Sequence, residues 1–317
     1  MKNKKESIQI IILLISFVLL TACSQQNEQA LGADKLKVVA TTTIVGDVVA
    51  QVGGDLIELG VLLPAGTDPH GFDPAPRDIT KVAEADVIFA SGAGLEYFLD
   101  KLIESAGAEA KVVYVSEEID FLVYEPESEE DDQHDGEGPG HESVDPHTWT
   151  DPNNVIIWTH NIEAEISQLD PINAEAYAAN AESFRTELIA LDAWIRQQVE
   201  QVSLEKRKFV TDHTLFSYFA EEYGFEQVGT LIPGYSTLAE PTAQELAKIE
   251  DAIYDLDVQA VFVGNTVNPS LAERVAEDTG VQLIYVFTGS LSEAGGQADS
   301  YLDYMRYNTN AFVNALK

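Results

Sequence analysis

Two stretches of this chain spell the same unit. Lys37-Val38-Val39-Ala40-Thr41 is followed by a helix-patterned segment at 43–53 and an apolar run at 57–64; Lys208-Phe209-Val210-Thr211-Asp212 is followed by the same succession at 215–224 and 225–233. Each predicts strand, helix and strand, closed by a proline turn. The next segments also correspond. In the first half, 79–85 leads to 86–90, 95–106 and 111–115; in the second, 244–254 leads to 260–263, 270–279 and 282–286. Short β-rich runs alternating with amphipathic helices predict parallel sheets covered on both faces. The expected fold class is therefore α/β, with two similar lobes at 36–170 and 204–317. Between them, 171–203 has helical spacing. Ala176, Ala179, Phe184, Leu188, Leu191, Ile195 and Val199 are expected on one face, with Pro171 just before the helix and Asp170 as its cap. One long helix between lobes is a stiff connection, which argues against a wide hinge.

The chain opens with a leader. Lys2, Lys4 and Lys5 precede an apolar stretch at 8–20 that is too short and wrongly flanked for an ordinary membrane span. It ends in Leu20-Thr21-Ala22-Cys23, which resembles a bacterial lipobox. The expectation is a lipoprotein signal peptide at 1–22, lipidation of Cys23, and a polar tether at 23–35. The product would be held at the extracytoplasmic face of the cell membrane, periplasmic or on the cell surface. Cys23 is the only cysteine, so neither an intramolecular disulfide nor a cysteine metal site is available. A net charge of −36 makes nucleic acid and anionic headgroups unsuitable partners. The insert at 125–143 is rich in Asp and Glu and carries His134 and His141. It has too little apolar content to pack, and it reads either as a loose collector of metal or as a solvated loop.

Three of the six histidines occupy corresponding places. His70 and His147 each close an Asp-Pro-His tripeptide, Asp68-Pro69-His70 and Asp145-Pro146-His147, and His213 ends Val210-Thr211-Asp212-His213. All three follow predicted strands, and ligands of open α/β sheets bind beyond the carboxyl ends of strands. Two come from the first lobe and one from the second, so a shared site falls in the cleft between lobes. Imidazole suits zinc and related transition metals. His160, inside a helical stretch, has a packing or surface role. The spacing excludes His-Glu-x-x-His, zinc-finger, EF-hand, P-loop and Gly-x-Ser-x-Gly signatures. Asp68, Asp145 and Asp212 stand one or two residues from a histidine. They are expected either to orient and balance the imidazoles or, for the two that precede proline, to start turns.

At these residues the chain resembles the zinc/manganese solute-binding lipoproteins of bacterial metal ABC transporters, the ZnuA/TroA type. The resemblance runs from the lipobox onward. It rests on the segment ending in Asp68-Pro69-His70, on Gly92-Ala93-Gly94-Leu95-Glu96, on the stretch from Asp145 to Pro152, on His213 with Tyr218-Phe219, on Ser236-Thr237 with Glu240-Pro241, and on Val286-Phe287-Thr288-Gly289-Ser290. It implies metal held by His70, His147 and His213 between two lobes bridged by a rigid helix. It implies no enzymatic activity, and it implies as partners a divalent ion and a membrane permease with its ATPase. Histidine at 213 and the acidic insert point to zinc, with manganese or iron(II) as the alternatives. One position departs from the pattern: where the family often places an acidic ligand, this chain has Gly289. The fourth ligand is then expected to be water, Glu240 or Glu293. Three histidines with an open position also suit a zinc hydrolase, which is the alternative of another class; an adhesin on the same fold is a third reading. Because histidine binds metal when neutral, affinity is expected to fall as pH drops through about 6–7.

Overall fold

The computed structural model describes residues 35–123 and 144–317. The expected leader, Cys23, most of the expected tether, and the insert at 125–143 with His134 and His141 lie outside the described residues. The first lobe runs β1 (Leu36–Ala40), α1 (Thr43–Gly53), β2 (Ile57–Val61), α2 (Pro76–Ala83), β3 (Val87–Ala90), α3 (Leu99–Ala106) and β4 (Lys111–Tyr114). Then come α4 (Pro152–Leu169) and α5 (Ala174–Val199). The second lobe follows with β5 (Lys208–Thr211), α6 (Ser217–Tyr223), β6 (Glu226–Thr230), α7 (Ala243–Asp255), β7 (Ala260–Gly264), α8 (Ser270–Thr279), β8 (Gln282–Val286) and α9 (Tyr301–Leu316).

Each lobe holds a four-stranded sheet, in the order β2-β1-β3-β4 and β6-β5-β7-β8. All pairings within the two sheets are parallel. The doubling legible in the sequence is thus a doubling of topology. Strand alternation sends successive side chains to opposite faces. Val38, Ala40, Val87 and Phe89 point into a core shared with Phe209, Ala260 and Phe262 of the second sheet. Val39, Ile88 and Ala90 point outward to a second core with Leu99 and Leu102 of α3. Val210, Val261 and Val263 do the same in the second lobe, against Ala272 and Val275 of α8.

The connecting helix α5 carries the shared core. Tyr177, Ala181, Phe184, Leu188, Leu191, Ile195 and Val199 are its buried residues, spaced by three or four so that they form one stripe. Burying each large apolar side chain contributes roughly 1.5–3 kcal/mol, which makes α5 part of the core as well as a connector. Two expectations are corrected here. Ala176 and Ala179 are exposed, because counting back from Phe184 by three and seven reaches Ala181 and Tyr177. Asn173, not Asp170, is the N-cap of α5. Asp170 instead closes α4 and accepts from Asn173 Nδ2 at 2.6 Å and from the Tyr177 hydroxyl at 2.8 Å. The start of α4 is encoded locally: Asp151 accepts from the Asn153 amide at 2.9 Å, and Pro152 takes the first helical position, where no N–H is needed.

Candidate metal centre

The loops that leave β2, β4 and β5 bring His70, His147 and His213 to one point. One nitrogen from each ring lies within 4.8 Å of the others. The rings meet edge-on with centroids 5.2–5.5 Å apart. His70 Nε2 and His147 Nε2 are 3.1 Å apart, and His213 Nε2 is buried without a hydrogen-bond partner. His160 is elsewhere, exposed on α4 with Nδ1 3.4 Å from Arg185.

The aspartates orient the rings. His147 Nδ1 donates to Asp145 Oδ1 at 2.7 Å, and the same oxygen accepts from the His147 amide at 2.9 Å. Asp145 therefore both makes the turn and sets the ring. His213 Nδ1 donates to Asp212 Oδ1, and the other oxygen of Asp212 accepts from the Gly264 amide on β7. A proton fixed on Nδ1 leaves Nε2 with its lone pair free. Asp68 departs from the expectation of a ring partner. Its Oδ1 accepts from the His70 amide at 3.0 Å, and its Oδ2 accepts from Thr237 Oγ1 of the second lobe. Of the two roles read for Asp68, the turn is the one present, with a tie between lobes added.

Burial governs the protonation of the site. Desolvation, helped by the neighbouring rings, holds His70 and His147 well below the ordinary imidazole range. Burial pushes the Asp145 carboxyl up to about 7, against its bond to the His147 amide and the attraction of His213. His70 and His147 are thus neutral donors through the range where ring protonation was expected to weaken binding, and the Asp145 carboxyl titrates near pH 7.

Glu240 and Glu293 do not join the cluster. Both are exposed, and neither belongs to the group of converging donor atoms. Glu240 lies in the loop before α7, and Glu293 lies in a turn closed by the Gly296 amide on its carbonyl, so their backbones hold them at the solvent side. Gly289 stands against Pro69, and the space that its side chain would take is filled. A Cβ there would lie 2.7 Å from Cδ and 3.0 Å from Cγ of Pro69, the residue before His70.

Several groups that close the cleft lie in the segments that carry the family resemblance, but the order of residues assigned them no role. The Tyr218 hydroxyl donates to the Asp145 carbonyl at 2.8 Å and accepts from the Leu122 amide at 3.2 Å. Ser290 accepts from the Gly66 amide at 2.8 Å, and Thr43 accepts from the Leu291 amide at 2.9 Å. Trp149 lies edge-on to His147 at 5.2 Å and donates to Tyr304, whose hydroxyl reaches the Thr288 carbonyl at 3.0 Å. These are single hydroxyls, amides and an indole without periodic signature, so their contacts across the cleft could not be read from the order of residues.

Residues 38–315 match the family described as zinc-uptake complex component A, periplasmic (ZnuA). The chain belongs to the ZnuA family. It is 33% identical to the manganese-binding lipoprotein MntA of Halalkalibacterium halodurans, over 99% of each chain. It is 31% identical to the manganese ABC transporter substrate-binding lipoprotein PsaA of Streptococcus mitis, over 97% of each. Its fold is shared with the periplasmic zinc binding protein TroA from Treponema pallidum, at 24% identity and a TM-score of 0.77 over 89% of this chain and 99% of that one. The family and these relatives are solute-binding proteins of metal transport, not enzymes, so the hydrolase reading falls away.

Proposed function

We propose that this protein is the extracytoplasmic zinc-capturing component of an ABC uptake system, with His70, His147 and His213 as ligands and water in the fourth position. The observation that carries this reading is the donor set: three imidazoles converge, and among the described residues no carboxylate joins them. Two ligands of a tetrahedral zinc at about 2.0–2.1 Å stand roughly 3.3 Å apart, close to the 3.1 Å between His70 Nε2 and His147 Nε2. The buried, unpartnered Nε2 of His213 fits the same ion. Imidazole suits zinc, and manganese takes oxygen ligands more readily. Asp145 and Asp212 fix the ring tautomers and supply negative charge against the dication.

A lipid on Cys23 holds the protein at the membrane; the word lipoprotein in the relatives' names supports this. Among the described residues no helix is long and apolar enough to cross a membrane. The ion, bound to ligands from both lobes, stabilises the closed cleft, and the loaded form docks on a permease driven by its ATPase. Because α5 lies within the shared core, opening is a small tilt or a loop movement.

Manganese is the second reading, favoured by the names of the relatives. Calorimetry of the metal-stripped protein with zinc, manganese and iron(II) separates the two. Zinc is expected to bind at least about 100-fold more tightly than manganese, and His70→Ala to weaken zinc by roughly 10²- to 10³-fold, a quarter share of a binding energy of about 10–16 kcal/mol. Tighter binding of manganese than zinc would reverse the assignment.

A further inference from the structure

The three rings are not equally sealed. His147 is 0% and His213 1% exposed, whereas His70 keeps 8% of its surface. His70 also lines a cavity of about 370 Å3 in the first lobe, beside α3, which neither of the other two rings touches. Phe72 and Phe98 form part of its wall, edge-on at 4.9 Å, and Asp73, Tyr97 and Lys101 stand exposed at its rim. A divalent ion with six waters fills roughly 180 Å3 at about 30 Å3 per water, so this space accepts the ion with its hydration shell intact.

We infer that this cavity is the passage by which the hydrated cation reaches and leaves the three rings, with His70 as the first protein nitrogen it meets. The inference rests on the three-histidine reading above. An ion bound for a buried site must shed water stepwise, and here a rim carboxylate, Asp73, precedes the ring of His70, the least sealed of the three. The ammonium of Lys101 stands at the same rim and opposes the approach of a cation. The competing passage is the cavity of about 530 Å3 in the second lobe, lined by Thr214, Gln227 and Lys248. It reaches Thr214 and not the sealed ring of its neighbour His213.

Stopped-flow mixing of zinc with the metal-stripped full-length protein tests the passage. Lys101→Glu and Lys248→Glu change the net charge equally, one at each cavity. Lys101→Glu is expected to raise the association rate constant by about threefold or more at low salt, an effect that fades at high salt, while Lys248→Glu leaves it within about 1.5-fold. Ser105→Trp places bulk in the first cavity and is expected to slow association and dissociation together, with Kd unchanged. Equal responses of the two lysine variants, a response of Lys248→Glu alone, or unaltered rates in Ser105→Trp would overturn the inference. The ligand reading fails separately: an intact equilibrium affinity in His70→Ala would remove it, whereas a wrong passage leaves that affinity lost and only the rates unmoved.

Discussion

The tripeptide Asp-Pro-His occurs twice and is used in two ways. In both copies the aspartate oxygen accepts the amide two residues on, at 3.0 Å for Asp68 and 2.9 Å for Asp145. The turn is therefore a local property of the three residues. Beyond the turn the copies part. Asp145 is 0% exposed and grips the ring of His147, whereas Asp68 turns its second oxygen across the cleft to Thr237. One copy orients a donor, and the other ties the lobes together beside a donor. Identical local chemistry thus serves two ends because the surroundings differ: the second copy is sealed under Trp149 and Tyr218, and the first lies at the seam between lobes.

Substituting each aspartate by asparagine is the sharpest way to break this comparison. Asp145→Asn is expected to weaken zinc binding by about 10- to 100-fold at pH 8, since it removes the charged acceptor that fixes a ligand ring. Asp68→Asn keeps a turn-making oxygen and is expected to cost less than about threefold by the same titration. Equal losses would mean that the two copies play one role.

Proton linkage gives the next effect. In the metal-free protein the Asp145 carboxyl titrates near 7 because burial raises it. Beside a bound dication it is ionised, so below pH 7 binding releases its proton and affinity falls as pH falls. The loss is expected to be about tenfold between pH 8 and pH 6. His70 and His147, whose proton affinity burial lowers, contribute only at lower pH. Titrations in buffers of different ionisation enthalpy count the released proton, and Asp145→Asn is expected to flatten the slope. A slope that survives this substitution would return the titration to the rings.

The smallest effect belongs to the cross-lobe tie. Thr237→Ala removes one hydrogen bond to Asp68, worth about 0.5–1.5 kcal/mol. Zinc affinity is expected to fall only a few-fold, through faster dissociation as the closed cleft loosens. A loss as large as that of Asp145→Asn would make the seam, and not the ring, the critical contact.

Much of the fold was legible because periodicity carries it. The alternation of Val38, Val39 and Ala40 and the three-four spacing from Phe184 to Val199 are repeated physical constraints, and each residue in the run supports the others. The error at Ala176 and Ala179 arose where that support thins, since alanine is compatible with either face of a helix. The three histidines were legible because each follows a strand terminus. The fourth-ligand candidates were not, since Glu240 and Glu293 are near in sequence to the motifs but are held outward by their own loops. Nothing in the order of residues announces that Pro69 fills the space beside Gly289 or that Thr237 reaches Asp68. Those pairs are far apart along the chain, and only the meeting of the lobes creates them.

The sequence by itself determined the doubled parallel-sheet plan, the linking helix and the three imidazoles, because hydrophobic spacing and strand-end turns act over a few residues. Tertiary structure alone decided which nitrogen of His147 and of His213 is held by an aspartate, which carboxyl titrates near neutrality and which of the three rings keeps some exposure. Desolvation and hydrogen-bond partners depend on what packs around a group, and here the packing comes from both halves of the chain at once.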